Sequence, residues 1–66
     1  MTEHQRKIVR PLAEQNMNIS ATARALNCHR NSLLYRIKNI QKKTGLDPMN
    51  FYDLHELYQI AVSEEN

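Results

Sequence analysis

The sequence contains few of the residues that build disulfides, metal sites or phosphate-binding loops. Its 66 residues include one cysteine, one glycine and two prolines. A single cysteine cannot form an intrachain disulfide, and this agrees with a reducing compartment, so we expect a cytoplasmic protein. The chain has no membrane-length apolar run and no secretory signal pattern, which predicts no membrane partner. It has no glycine-rich phosphate loop either.

Catalytic and metal-binding patterns are also missing. Cys28 and His29 are adjacent, but neighbouring side chains at the start of a helix point in different directions, and His4 and His55 are isolated in sequence. No CxxC or HxxxH spacing occurs. A chain of this length buries only about 60% of its unfolded surface, which disfavours a deep catalytic cleft. We therefore expect no enzymatic activity, no metal and no cofactor.

Acidic residues are absent between Arg24 and Lys43. Residues 1–46 contain all nine lysines and arginines and two acids, a formal charge of +7, whereas residues 47–66 contain five acids and no basic side chain, a charge of −5. A basic segment of this kind is typical of proteins that dock on phosphates. The alternative is a solvated basic face that pairs with the acidic tail.

Residues 20–43 have the pattern of a helix-turn-helix motif. Ser20 is placed to cap a short first helix, in which several alanines allow a close helix crossing. Asn27 falls in the turn, where the backbone is commonly left-handed and where asparagine is one of the few substitutes for glycine. Cys28 follows as a small apolar residue that fits between the two helices.

The second helix of the motif is predicted over about residues 29–43, with His29 or Arg30 at its start. At about 100° per residue, three apolar side chains form one stripe that faces the core. They are Leu33, Ile37 and Ile40. The opposite face has no carboxylate and suits base edges and phosphates. It consists of Asn31, Tyr35, Lys38 and Lys42.

A further helix is predicted before the motif. Thr2 and Gln5 match a capping box, which predicts a helix over about residues 3–15 that continues through Pro11 with a bend. The alternative is a helix that starts near Pro11 and leaves residues 1–9 loosely ordered.

A last helix is predicted after the motif, over about residues 51–63. Gly45 is expected to end the second helix of the motif, and Asn50 is expected to cap the last helix. Apolar residues of this helix recur at helical spacing and predict a core face, part of which could pair with a second subunit. They are Phe51, Leu54, Leu57, Tyr58, Ala61 and Val62. Glu64 and Glu65 are expected to form a frayed, solvated end.

These elements predict an all-α fold, a small helix-turn-helix bundle of four to five helices that forms one domain over residues 1–66.

Three segments together resemble a known family. They are NISATARAL at residues 18–26, HRNSLLYRI at residues 29–37 and TGLD at residues 44–47. Over about residues 8–62 the chain resembles the C-terminal DNA-binding domain of the PucR/CdaR-like transcriptional regulators of purine catabolism and sugar-diacid use. It is more distantly similar to the Fis-type helix-turn-helix domain.

The resemblance implies sequence-specific binding to double-stranded DNA by a transcriptional regulator, with the recognition helix in the major groove. Arginine suits guanine and asparagine suits adenine, so we expect Arg30 and Asn31 to read base edges. The residues expected at the DNA are His29, Arg30, Asn31, Ser32, Tyr35, Arg36 and Lys38, with Arg24 from the first motif helix.

Several of these side chains have more than one predicted role. His29 caps the helix or contacts a phosphate, and Ser32 lies where the helix N-terminus attracts a phosphate. Tyr35 contacts sugar, a thymine methyl or phosphate, or else packs half-buried. Arg36 and Lys38 are expected to hold the DNA backbone without reading sequence, as is Arg24. Lys42 and Lys43 are expected to lie too far along the helix to reach the groove.

The expected assembly is a homodimer that reads two half-sites about one helical turn apart. Family members carry a larger N-terminal sensory region that this chain does not contain, so we expect either an excised domain or a stand-alone relative. One alternative is a protein-interaction or dimerisation module that uses the C-terminal helix without sequence-specific DNA binding. Non-specific architectural DNA binding is another.

Overall fold

The computed structural model describes residues 1–64, and the regular secondary structure in that range is entirely helical. The four helices are α1 (Glu3–Glu14), α2 (Ile19–Ala25), α3 (Arg30–Thr44) and α4 (Phe51–Glu64). The prediction of a small all-α helix-turn-helix bundle is confirmed. The central helix is α1, which packs against each of the other three, while α2 also packs against α3. None of the helices in this range is long and apolar enough to cross a membrane.

The first helix begins with the predicted capping box. The Gln5 N–H donates to Thr2 Oγ1 over 3.1 Å, and the Thr2 N–H donates to Gln5 Oε1 over 3.0 Å. The helix is continuous through Pro11, as predicted, and ends one residue earlier than expected. Proline removes one backbone hydrogen bond. The helix still forms because its inward face, which includes Val9 and Leu12, is fully buried.

Asparagine ends both of the first two helices in a left-handed conformation. Asn27 has φ of 53°, as predicted for the turn of the motif, and Asn16 has φ of 56° after α1. At the end of α2 the Cys28 N–H donates to the Ala23 carbonyl over 3.0 Å, which forms a Schellman motif. The same pattern of hydrogen bonds closes α1. Of these two left-handed asparagines, Asn27 was predicted from the sequence and Asn16 was not.

The cap of α2 differs from the prediction. The side chain of Asn18, and not that of Ser20, accepts the Ala21 N–H over 2.9 Å. Because the helix begins at Ile19, Ser20 lies inside the first turn and is exposed. The prediction for Ser20 was wrong because asparagine and serine cap helices equally well, so residue type alone does not choose between neighbouring candidates.

All four helices contribute to one core. The buried apolar residues are Ile8, Val9, Leu12, Ala23, Leu33, Ile37, Ile40, Leu54, Leu57 and Ala61. Phe51, which was expected in the core, is 64% exposed. It borders a cavity of about 250 Å³ across from Asn16 and Met17. Ala13, in the last turn of α1, lines the same cavity, which is not filled by any side chain of the turn.

The junction between α3 and α4 follows the predicted signals. Gly45 has φ of 77° and ends α3. Asn50 Oδ1 then accepts the N–H groups of Tyr52 and Asp53 over 3.0 and 3.1 Å, which caps α4. Pro48 is fully buried between them.

The end of α4 is tied to the start of α1. Glu64 accepts a hydrogen bond of 3.0 Å from the N-terminal ammonium group of Met1 and one of 2.9 Å from Arg6. These two cations lower the pKa of Glu64 below its ordinary value, the ammonium group more strongly. The expectation of a frayed end was therefore wrong for Glu64, and Glu65 lies outside the described residues.

Two adjacent leucines on α3 provide a test of this packing. Leu33 is fully buried, whereas Leu34 is 38% exposed. We expect Leu33→Ala to lower the free energy of unfolding by about 2–5 kcal/mol, because it leaves a cavity in the core. Leu34→Ala, the matched control, should cost roughly 1 kcal/mol or less. Urea denaturation followed by circular dichroism measures both, and equal losses would contradict the observed rotation of α3.

Candidate nucleic-acid interface

The rotation of α3 is the first determinant of the candidate interface. Leu33, Ile37 and Ile40 are 0%, 4% and 0% exposed, so the predicted core stripe is confirmed. The opposite side of the helix, here called the groove face, is exposed. It consists of Asn31, Tyr35, Lys38 and Lys42. Tyr35 is 68% exposed, so the structure does not support its alternative role as half-buried packing.

His29 fixes the start of this helix. Its backbone is extended, with φ of −74° and ψ of 144°, and its Nδ1 accepts the N–H of Asn31 over 3.1 Å. Two roles were predicted for His29, a helix cap and a phosphate contact. The structure shows the helix cap. The cap begins α3 at Arg30, which leaves the side chains of Arg30 and Asn31 exposed in the first turn.

The remaining predicted residues lie on two helices. Ser32 and Lys38 are exposed on α3, and Arg36 is half-buried on the flank of the same helix. Arg24 is exposed in the last turn of α2, which packs against α3. Seven of the predicted residues thus lie at the start of α3 or further along it, and Arg24 lies on the helix that packs against α3.

The cations of this region have no acidic partner within residues 1–64. The ion pairs in that range join Glu64 to the N-terminus and to Arg6, and Glu3 to Lys7. None involves a lysine or arginine between positions 24 and 43. The pairing of the basic face with the acidic tail, which was the alternative explanation of the charge pattern, is therefore not observed among the described residues.

Two acids of the tail bind backbone groups instead. Asp53 Oδ2 accepts the N–H of Asp47 over 3.0 Å, and Asp47 Oδ1 accepts the N–H of Met49 over 2.9 Å. Both carboxylates thereby order the loop before α4. Neither carboxylate forms an ion pair with a cation of α3.

One exposed residue beside the groove face was not singled out from the sequence. Leu34 is 38% exposed on α3, where an apolar side chain can contact a thymine methyl group. The adjacent leucines at positions 33 and 34 indicate that one of them lies away from the core. A helix turns by about 100° per residue, so only one of the two can lie at the centre of the core stripe.

Metal-binding clusters are absent from the part of the chain that the structure describes. No group of three or more histidine, cysteine, aspartate or glutamate residues in residues 1–64 is arranged to hold a metal ion. Cys28 is half-buried and packs against the core, which agrees with its predicted place between the motif helices.

Comparison with known families matches this geometry to one domain type. The family described as the PucR C-terminal helix-turn-helix domain matches residues 6–60. The chain belongs to this family. The match contains the whole of α2 and α3, and thus the complete motif of this PucR-type domain. A domain of this type suggests DNA binding by a regulator.

A longer protein is similar to most of this chain. The uncharacterized protein YxkF of Bacillus subtilis (strain 168) is 34% identical over 61 residues, which cover 92% of this chain and 20% of that protein. The chain therefore spans about one fifth of the length of this relative. No solved structure matches the chain.

The cap at His29 can be tested by substitution. We expect His29→Ala to lower the free energy of unfolding by about 1 kcal/mol, because the N–H of Asn31 loses its acceptor. His29→Asn should restore most of that loss, since asparagine is among the best N-cap residues. Thermal unfolding followed by circular dichroism measures both variants. If asparagine destabilised the domain as much as alanine does, the side chain would not act as a cap.

Proposed function

We propose that this PucR-type domain binds double-stranded DNA sequence-specifically, as the DNA-binding part of a transcriptional regulator, with α3 in the major groove. The observation that carries the proposal is the two-sided character of α3. Its apolar stripe is buried, while its groove face is exposed and free of acids, and its cations have no ion pair within residues 1–64. A major groove about 12 Å wide admits such a helix.

Base recognition is assigned to the first turn of α3. Arg30 and Asn31 are exposed there, and the N-terminal residues of a recognition helix are those that contact base edges in helix-turn-helix complexes. Arginine donates two hydrogen bonds to guanine, and asparagine pairs with the N6 and N7 edge of adenine. The cap at His29 supports this role because it holds the first turn in a fixed conformation.

Contacts with the phosphate backbone of DNA are assigned to the residues around that turn. Ser32 lies in the first turn of α3, where the helix dipole favours a phosphate. Arg36 and Lys38 hold the phosphates beside the groove, and Arg24 does so from α2. The exposed ring of Tyr35 is suited to pack against sugar or a thymine methyl group, with its hydroxyl on a phosphate.

Selection of bound duplexes from a random pool tests the sequence specificity. An enriched motif would identify the bases that α3 reads and the spacing of the half-sites. A pool without enrichment, with equal affinity for every duplex at fixed salt, would instead indicate non-specific architectural binding.

A double substitution tests the two proposed base contacts. We expect Arg30→Ala with Asn31→Ala to weaken binding to the selected duplex by about 2–6 kcal/mol, since each base contact provides about 1–3 kcal/mol of discrimination. The Tm should change little, because both side chains are exposed. The matched control is Lys7→Ala with Gln59→Ala, which also removes one cation and one amide, from exposed positions on α1 and α4. Fluorescence anisotropy measures both, and equal losses would contradict the assigned roles.

We also infer that the regulator binds its site as a homodimer. One domain measures 26 × 23 × 20 Å and has a single recognition helix, so it spans one half-site. An aromatic pair supplies a contact surface on α4. Phe51 and Tyr52 are 64% and 80% exposed, and their rings meet edge to face with centroids 5.6 Å apart. Large exposed aromatic groups of this kind are typical of protein interfaces.

The same aromatic pair favours the second candidate function, a protein-interaction module that does not read DNA sequence. In the dimer model, replacing Phe51 and Tyr52 by alanine should produce a monomer that binds one half-site and loses affinity for the two-half-site duplex. Ile60→Ala is the control, because Ile60 is 37% exposed on the same helix and lies about two turns beyond Tyr52. Sedimentation velocity measures the assembly. An aromatic-pair variant that loses assembly, in a chain that shows no preference among duplexes, would favour the interaction module.

A further inference from the structure

A cleft bordered by basic and hydrogen-bonding residues lies between the first turn of α1 and the flank of α3. It has a volume of about 320 Å³, and buried Ile8 lies at its base. The side chains that line it are Thr2, His4, Gln5, Ile8, Arg36, Asn39 and Lys43. This α1–α3 cleft contains two cations and several hydrogen-bonding groups, and none of its lining residues is acidic.

We propose that the α1–α3 cleft binds one phosphate of the DNA backbone, held between Arg36 and Lys43, with the side-chain amide of Asn39 donating from between them. The inference rests on the proposed function, and it adds Lys43, Asn39 and the first turn of α1 to the DNA-binding surface. It gives Lys43 a role that the sequence pattern did not assign.

The positions of these residues on α3 support the proposal. Arg36, Asn39 and Lys43 are spaced by three and four residues, so they form one stripe along the helix. At about 100° per residue, this stripe lies roughly a quarter turn from the core stripe and roughly a quarter turn from the groove face. A helix is about 10–12 Å in diameter, and the major groove is about 12 Å wide. A helix in the groove therefore turns such a flank toward one phosphate strand.

The charges around the cleft favour an anion. Arg36 is half-buried, which leaves its guanidinium less freedom than an exposed one has, while Lys43 is exposed. His4 adds an imidazole from α1. The nearest acid in sequence, Glu3, lines a different depression of the surface, where its carboxylate lies 3.5 Å from the ammonium group of Lys7. The cleft thus retains its positive charge.

A phosphate in this cleft has two sources, the DNA backbone or a free phosphate ion. The cleft is open and lies on the recognition helix itself, beside exposed residues of the groove face. A duplex that contacts the groove face places its phosphates next to this flank, whereas a free ion gains no such proximity. We therefore assign the cleft to the backbone.

The salt dependence of duplex binding tests the assignment. In the logarithm of affinity against the logarithm of salt concentration, each phosphate contact contributes about 0.9 to the slope. We expect Lys43→Ala to reduce the slope by about this amount and to weaken binding roughly fivefold to tenfold at 0.1 M salt, equally for all duplex sequences. Lys7→Ala is the charge-matched control, because it removes a lysine from the other side of α1, and it should leave the slope unchanged.

A double-mutant cycle tests whether Arg36 and Lys43 share one phosphate. If they do, Arg36→Ala combined with Lys43→Ala should reduce the slope by little more than either change alone. Two separate reductions that add would overturn the shared site. Thermal unfolding checks the Arg36 variant, and the exposed position of Lys43 keeps the single variant informative even if Arg36→Ala destabilises the fold.

Two further outcomes separate the hypotheses. A wild-type domain that binds no duplex would end the proposed function itself. A domain that loses binding through Arg30→Ala and Asn31→Ala, but keeps its salt slope in Lys43→Ala, would overturn only the phosphate site.

Titration of the free domain with inorganic phosphate tests whether the cleft binds a free phosphate ion. The side-chain amide signals of Asn39 in NMR report the binding. Saturable binding together with an unchanged salt slope would assign the cleft to the free ion.

Discussion

Burial of one stripe of α3 against α1 and α2 is the constraint on which the candidate interface depends. A helix has one rotation about its axis, so burying Leu33, Ile37 and Ile40 determines the direction of every other side chain on it. The central position of α1 makes this burial possible, because α1 contacts all three other helices. The exposed polar face is thus a direct consequence of the core. A slip of α3 by one residue would turn the apolar stripe by about 100° and expose it.

The turns of the bundle provide the second condition, since they set the angles at which the helices meet. Asparagine replaces glycine at two positive-φ positions, Asn16 and Asn27, and each is followed by a residue that closes the preceding helix. Only Gly45, after α3, uses glycine in this way. Although the chain has one glycine, three of its helices are followed by a residue with a left-handed backbone conformation. Asparagine makes this possible because it tolerates that conformation better than most other residues with a side chain.

Three acidic residues bind groups outside α3, and the cations of α3 have no acidic partner within residues 1–64. Glu64 pairs with Arg6 and the N-terminus, and Asp47 and Asp53 accept backbone hydrogen bonds before α4. The backbones of α3 and α4 do not approach each other closely in residues 1–64. A contact surface on α4 and a DNA surface on α3 can therefore exist in one small domain without sharing side chains, which is compatible with both the proposed DNA binding and the proposed dimer.

The sequence by itself determined the helix types, their approximate bounds, the core stripe of α3 and the left-handed turn at Asn27, because periodicity, capping groups and rare backbone conformations are local properties. It was less informative where neighbours compete. Asn18 and Ser20 are both good caps, and Phe51 matches the apolar period of α4 although its side chain is largely exposed. Only the tertiary structure decided these cases. It also brought Arg36, Asn39 and Lys43 beside the first turn of α1, because a cleft between helices distant in sequence depends on how they pack and not on the local pattern of either one.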